Sequence, residues 1–181
     1  HHFPELTVVG IVDGDLGLGG GDLRAAERTY QLLTQAAGRA GRAKSPGRAL
    51  IQTHQPEHPV MQAIAASDRD AFVAAESAAR QMAGMPPHGR LAAIIITGKD
   101  FAATERTARV TVRAAPRWEG VRVLGPAPAP LAQLRGRWRF RLLVQGRRET
   151  QMQVYLKEWL DSLEIKGGVR LHVDVDPYSF L

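Results

Sequence analysis

The stretch Met85-Pro86-Pro87-His88-Gly89 constrains this chain more than any other. Two adjacent prolines remove the N–H groups a helix needs, and the glycine after them favours a turn. A helix arriving from the N-terminal side has to stop there, so the chain divides into two pieces, 1–87 and 88–181. At 181 residues there is room for one substantial domain or two small ones, and 44% hydrophobic residues suffice for packed cores.

In the first piece, the β-branched run Leu6–Val12 reads as a buried parallel strand. It ends in Asp13-Gly14-Asp15 and a loop through Gly17, Gly19, Gly20 and Gly21. Carboxylates just past a strand end lie where α/β folds place their chemistry. Asp22 is positioned to cap a helix from Leu23 to about Ala40, whose apolar stripe is Leu23, Ala26, Tyr30, Leu33 and Ala37. Gly38 interrupts that helix and Gly41 stops it. Pro46-Gly47 turn the chain into a second strand, 48–53, which completes a βαβ unit, and helices follow over 60–66 and 68–84.

The second piece alternates strand 91–97, helix 101–115, strand 121–124, strand 138–144, helix 149–163 and strand 169–175. Gly125-Pro126-Ala127-Pro128-Ala129-Pro130 reads as a short rigid connector between two of the strands. The order βαββαβ is that of a ferredoxin-like α/β domain.

Charge separates the pieces further. Residues 106–148 hold eleven arginines and a single acid, Glu119, a net of +10, whereas the whole chain carries +6. Arginine presents a planar fork matched to phosphate, so this block points to nucleic acid, against the plainer alternative of a solvated surface made arginine-rich by a GC-rich genome. In Arg135-Gly136-Arg137-Trp138-Arg139-Phe140-Arg141 the period of two puts Arg137, Arg139 and Arg141 on one side of a strand, with Arg135 just before it. Trp138 and Phe140 fall on the other side and are expected in the core rather than as stacking platforms, as are Trp118 and Trp159. Asp174 and Asp176 are expected to be structural. There is no cysteine, which excludes disulfides, iron–sulfur clusters and cysteine-ligated zinc. The six histidines are scattered; only His54 and His58 are four apart, and Pro56 between them argues against a helical metal pair. No window is apolar enough for a transmembrane helix.

One further segment has catalytic spacing. Gln35, Arg39 and Arg42 recur at helical three- and four-residue offsets within Gln35-Ala36-Ala37-Gly38-Arg39-Ala40-Gly41-Arg42. Arginines so placed can neutralise charge on a transferring phosphoryl group, or they can simply solvate a glycine-rich helix end.

The longer run Asp22–Arg42 resembles the last conserved motif of superfamily 2 helicases, in particular the primosomal protein N′ family of bacterial replication-restart helicases. His1-His2-Phe3-Pro4, Val12–Leu18, Leu50–Pro59, Met85–Leu91, Leu124–Pro130 and Val173–Pro177 resemble further segments of that family, in family order. The resemblance implies that 1–87 is the C-terminal part of a RecA-like helicase lobe with trailing helices, and 88–181 a C-terminal DNA- and protein-binding domain. It implies an arginine finger at Arg42, a γ-phosphate contact at Arg39 and a coupling role for Gln35, with Asp13 and Asp15 on the cleft side. By the same resemblance, Arg147 and Gln151, four apart at the start of the last helix, receive the acidic tail of single-stranded-DNA-binding protein. The implied partners are branched and single-stranded DNA and other primosome proteins, in the cytoplasm of a bacterium, with no membrane.

The family's ATP, Mg2+ and zinc belong to the longer protein. This chain has no G-x-x-x-x-G-K-[ST] loop, no acidic box and nothing to replace the cysteine-rich zinc insertion. The chain alone is therefore expected to lack ATPase activity. It opens at His1 without an initiator methionine or signal-like stretch, and reads as a piece of a longer polypeptide unless His1-His2 is a tag remnant. The competing reading is a stand-alone nucleic-acid-binding or RNA- and ribosome-associated module without enzymatic role.

Overall fold

The computed structural model describes residues 6–19, 22–40 and 47–179. Two compact units divide between Ala78 and Ala79, inside a helix and upstream of the Pro86-Pro87 break that the sequence suggests as the boundary.

The first unit contains β1 (Val8–Ile11), α1 (Ala25–Ala37), β2 (Arg48–Ile51), α2 (Pro59–Ala65) and most of α3 (Arg69–Met82). β1 and β2 pair in parallel, Val8 beside Arg48 through Ile11 beside Ile51, with α1 between them in sequence. Helix starts follow from their caps. Pro59 occupies the first turn of α2, where its missing N–H costs nothing, and the His58 ring accepts from Val60 N at 3.2 Å. The Asp68 carboxylate accepts from Ala71 N at 2.9 Å to start α3. Asp22 does not cap α1: Arg24 holds that position without a side-chain bond, while the Asp22 carboxylate pairs with Arg28. A small core of Val60, Ala63 and Phe72 forms beneath Tyr30, whose ring stacks on Phe72 at 4.2 Å. β1 is not the buried strand its composition suggests, since Val8 is 51% exposed, and Leu50 of β2, opposite Gly10, is 60% exposed. Two parallel strands and one crossover helix leave much of the sheet uncovered.

The second unit holds the end of α3, then β3 (Gly89–Gly98), α4 (Phe101–Arg113), β4 (Val121–Leu134), β5 (Arg137–Arg147), α5 (Met152–Asp161) and β6 (Arg170–Val175). Its antiparallel sheet runs β4-β5-β3-β6, the split βαβ order expected of a ferredoxin-like domain. Alternation sends Ala92, Ile94, Ile96, Phe140, Leu142 and Val144 to one face. There they meet Ala108 of α4 and Met152, Tyr155, Leu156 and Trp159 of α5. Trp159 is fully buried and donates from its indole to Thr111 O at 2.9 Å, which ties α5 to α4. Gly98 permits the close approach of α4, because a Cβ there would lie 2.2 Å from Thr104 Oγ1.

Two expectations are corrected. The Pro/Ala run is not a connector but lies within β4, an edge strand with register shifts on both sides of it. Prolines are tolerated there because an edge strand and its irregularities do not need every N–H in the ladder. α5 begins at Met152 rather than near Glu149, because β5 continues to Arg147 and a turn follows.

Candidate nucleic-acid interface

The sheet face turned away from α4 and α5 is set by the same alternation that builds the core. Across β6, β3 and β5, one row reads Arg170, Thr97, Arg139. The next reads His172, Ile95, Arg141, and Ala127 of β4 extends it. With strands about 4.8 Å apart, Arg170 and Arg139 stand roughly 10 Å from each other on either side of a small threonine. Arg170 and His172 are exposed and Arg139 and Arg141 half-buried. Among the described residues no carboxylate pairs with Arg139 or Arg170. Arg170 and His172 are absent from the sequence-based expectation, which read each strand separately. Their own period-two spacing was visible, but only the β3–β6 register places them beside the β5 arginines.

The face continues to a tight hairpin. Arg135 and Gly136 both have positive φ, 50° and 71°, the geometry of a two-residue turn that twists with the strands it joins. That turn fixes Leu134 opposite Arg137. Arg135 is exposed at the tip, and Arg137 donates through Nη2 to Thr97 O at 3.2 Å and Gly168 O at 3.1 Å. Asp174 adds one negative charge on the adjacent row beside Ala93, while Asp176 is structural: its carboxylate accepts from Leu91 N at 3.2 Å and pairs with Arg90.

Arg147 and Gln151 do not share a helical face. Arg147 ends β5, and Gln151 is the residue before the first turn of α5. Arg147 borders a cavity of about 430 Å3 with His88, Arg122 and Arg148, and its ion pair to Glu119, at 3.7 Å between two exposed side chains, adds little stability.

In the first unit, Asp13 and Asp15 follow β1 as expected, but the Asp15 carboxylate is committed. It accepts from Thr53 Oγ1 at 2.5 Å and from His54 N at 2.6 Å, joining the loops that leave β1 and β2. The Thr53 hydroxyl, then the His54 N–H, hold its pKa below the usual 3.8. Asp13 in turn accepts from Asp15 N at 3.0 Å. α1 closes at Ala37, earlier than the sequence suggests, with Gly38 as its C-cap, so Arg39 lies in the turn beyond it. Gln35 and Arg39 are both exposed and line one shallow cavity of about 450 Å3 with Leu6, Val9, Leu32 and Ala36. Arg42 lies outside the described residues.

Asp15 is occupied, and no group of three His, Cys, Asp or Glu among the described residues could hold a metal ion.

The second unit is a one-sided α/β sheet domain with a basic open face. Residues 81–178 match the family described as primosomal protein N C-terminal domain, and the chain belongs to that family. The chain is also similar to the protein named replication restart protein PriA from Rickettsia conorii, 42% identical over 180 residues. That alignment covers 99% of this chain and 28% of the relative. The proteins of the same name from Haemophilus influenzae and Bacillus subtilis are 37% and 34% identical, over 98% and 99% of this chain and 25% and 23% of their own lengths. The chain thus spans roughly a quarter of the curated relatives it matches. No helix among the described residues is long and apolar enough to cross a membrane.

Proposed function

We propose that this chain is the C-terminal part of an ATP-dependent 3′-to-5′ DNA helicase of replication restart, and that its second unit holds branched DNA on the open sheet face. The observation that carries the DNA reading is the register of β6, β3 and β5, which aligns Arg170 with Arg139 and His172 with Arg141. Guanidinium groups spread over three strands suit a phosphate backbone, and they give affinity without sequence reading. Arg135 and Arg137 extend the contact to the hairpin.

On this reading the first unit is part of a RecA-like helicase lobe. Gln35, Arg39 and Arg42 act from it on a nucleotide and Mg2+ held mainly by the rest of the protein, with Asp13 and Asp15 shaping the cleft side of the loop. Zinc belongs to the longer protein. Arg147 and Gln151 receive the tail of single-stranded-DNA-binding protein through separate elements, the strand end and the helix cap, rather than through one helical face. Other primosome proteins complete the partners, in a bacterial cytoplasm. The chain alone is then inactive as an ATPase.

The test is binding of the 181-residue chain to a forked DNA, a plain duplex and an RNA of matched length, with salt titrated. Tighter binding to the fork with a steep salt dependence supports the reading. Equal or tighter binding to RNA contradicts it and favours an RNA-associated module.

A further inference from the structure

Phe140 is 5% exposed and belongs to the core cluster, whereas Trp138, two residues earlier on the same side of β5, does not. Trp138 is half-buried at the end of the sheet, opposite Gly98, the last residue of β3. Phe101, the first residue of α4, approaches it edge-on with ring centroids 5.1 Å apart and is itself 45% exposed. Two large aromatic rings therefore lie beside the hairpin tip with ring surface open to water, in a unit that buries Trp159 and Tyr155 completely.

Their surroundings are cationic. Lys99 directly precedes Asp100, the cap of α4, and Arg135 in the hairpin turn and Arg137 at the start of β5 lie just before Trp138 in sequence. Among the described residues none of these three pairs with a carboxylate. The acid nearest in sequence, Asp100, has its carboxylate engaged as the α4 cap, accepting from Ala103 N at 2.6 Å. An apolar peptide would gain nothing from three uncompensated cations. A nucleic acid strand would use both features, since a base offers a flat face to an aromatic ring while its phosphates meet guanidinium and ammonium groups.

We infer that Trp138 and Phe101 form a stacking platform for an unpaired base at the hairpin end of the sheet, on the helix side of β5 and next to the tip that leads round to the basic face. The inference rests on the sheet-face reading and adds to it a preference for single-stranded nucleic acid. Bases within a duplex are stacked on both faces and have no free surface to give the rings. Arg139 and Arg141 hold phosphates of either form, and the platform selects the strand that has opened.

The experiment measures affinity of the 181-residue chain for oligothymidylate, for oligouridylate and for a blunt DNA duplex of the same length. Trp138→Leu should weaken both single strands about tenfold and the duplex less than twofold. Trp138→Phe, which keeps an aromatic face, should recover most of the loss, and Phe101→Leu should reproduce part of it. Equal losses on single strand and duplex, failure of Trp138→Phe to recover binding, or no loss at all would overturn the platform. The double variant Arg139→Ala/Arg141→Ala separates the two levels. If it weakens all three ligands while Trp138→Leu changes none, only the platform fails. If it changes none, the sheet-face reading fails and the platform with it.

Discussion

In the second unit, twelve buried residues, from β3, β5, α4 and α5 with Val169 just before β6, form one core on a single face of an antiparallel sheet. In the first, three buried residues hold two helices together, while the parallel pair β1–β2 keeps Val8 and Leu50 more than half exposed. Strand direction explains the contrast. A parallel sheet needs cover on both faces, and one crossover helix and a short helical pair do not supply it. An antiparallel sheet is complete with one face packed, so the hairpin end of its other face can carry Arg139, Arg141, Arg170 and His172, while Leu91 and Ala93 farther along that face are buried.

The comparison breaks first at the cores. Trp159→Ala should cost the second unit about 3–5 kcal/mol, from the cavity and from the unpaired Thr111 carbonyl. All three tryptophans, Trp118, Trp138 and Trp159, lie in the second unit, so in Phe72→Ala the tryptophan emission reports the unit that was not altered. In urea, Phe72→Ala should weaken the far-ultraviolet helical signal early and leave the tryptophan transition in place. A tryptophan transition that moves with Phe72→Ala would mean that the two units unfold as one.

A smaller effect sharpens the contrast through pH. Tyr155 donates to Pro116 O at 3.1 Å, and burial, then the charge of Glu158, raise its pKa above 10.0. Its folded form holds the proton more tightly, so its contribution is present below pH 10 and lost as pH rises through the folded value. Tyr155→Phe should cost about 1 kcal/mol at neutral pH and remove that part of the alkaline destabilisation in tryptophan-detected melts. The first unit should show the opposite sign. The lowered pKa of Asp15 stabilises the unit above pH 3.8, and this is lost as pH falls through the folded value. Asp15→Asn should flatten the acid response of the β1 and β2 loops, followed by backbone amide shifts of Gly14 and His54, with a smaller change than Tyr155→Phe produces. Acid sensitivity retained in Asp15→Asn would assign it to another group.

Most of the second unit was legible in the sequence because strand and helix periods alternate cleanly there, and Arg137–Arg141 announce one sheet face by themselves. The interface was only half legible, since Arg170 and His172 join it through pairing with β3, a non-local contact that no single strand encodes. Trp138 falls on the core side, as alternation predicts, but is only half-buried, because alternation gives its side of the sheet and not how far along the sheet the helices reach. The Pro/Ala run looks like a connector until the partner strand shows that it can occupy an edge. In the first unit, the β-branched run predicts a strand but not its cover, and the helical spacing of Arg147 and Gln151 gives way because β5 extends to Arg147.

The most direct test asks whether binding depends on where the arginines sit or only on how many there are. The slope of log affinity for duplex DNA against log salt should be compared for the wild-type chain, the open-face variant Arg139→Ala/Arg141→Ala/Arg170→Ala and the helix-face variant Arg106→Ala/Arg109→Ala/Arg113→Ala. Both variants lose three charges, but only the first loses them from the proposed face. The account predicts a slope flatter by about 2–3 for the open-face variant and a nearly unchanged slope for the α4 variant. Equal flattening in both, with the tryptophan transition intact, would contradict it.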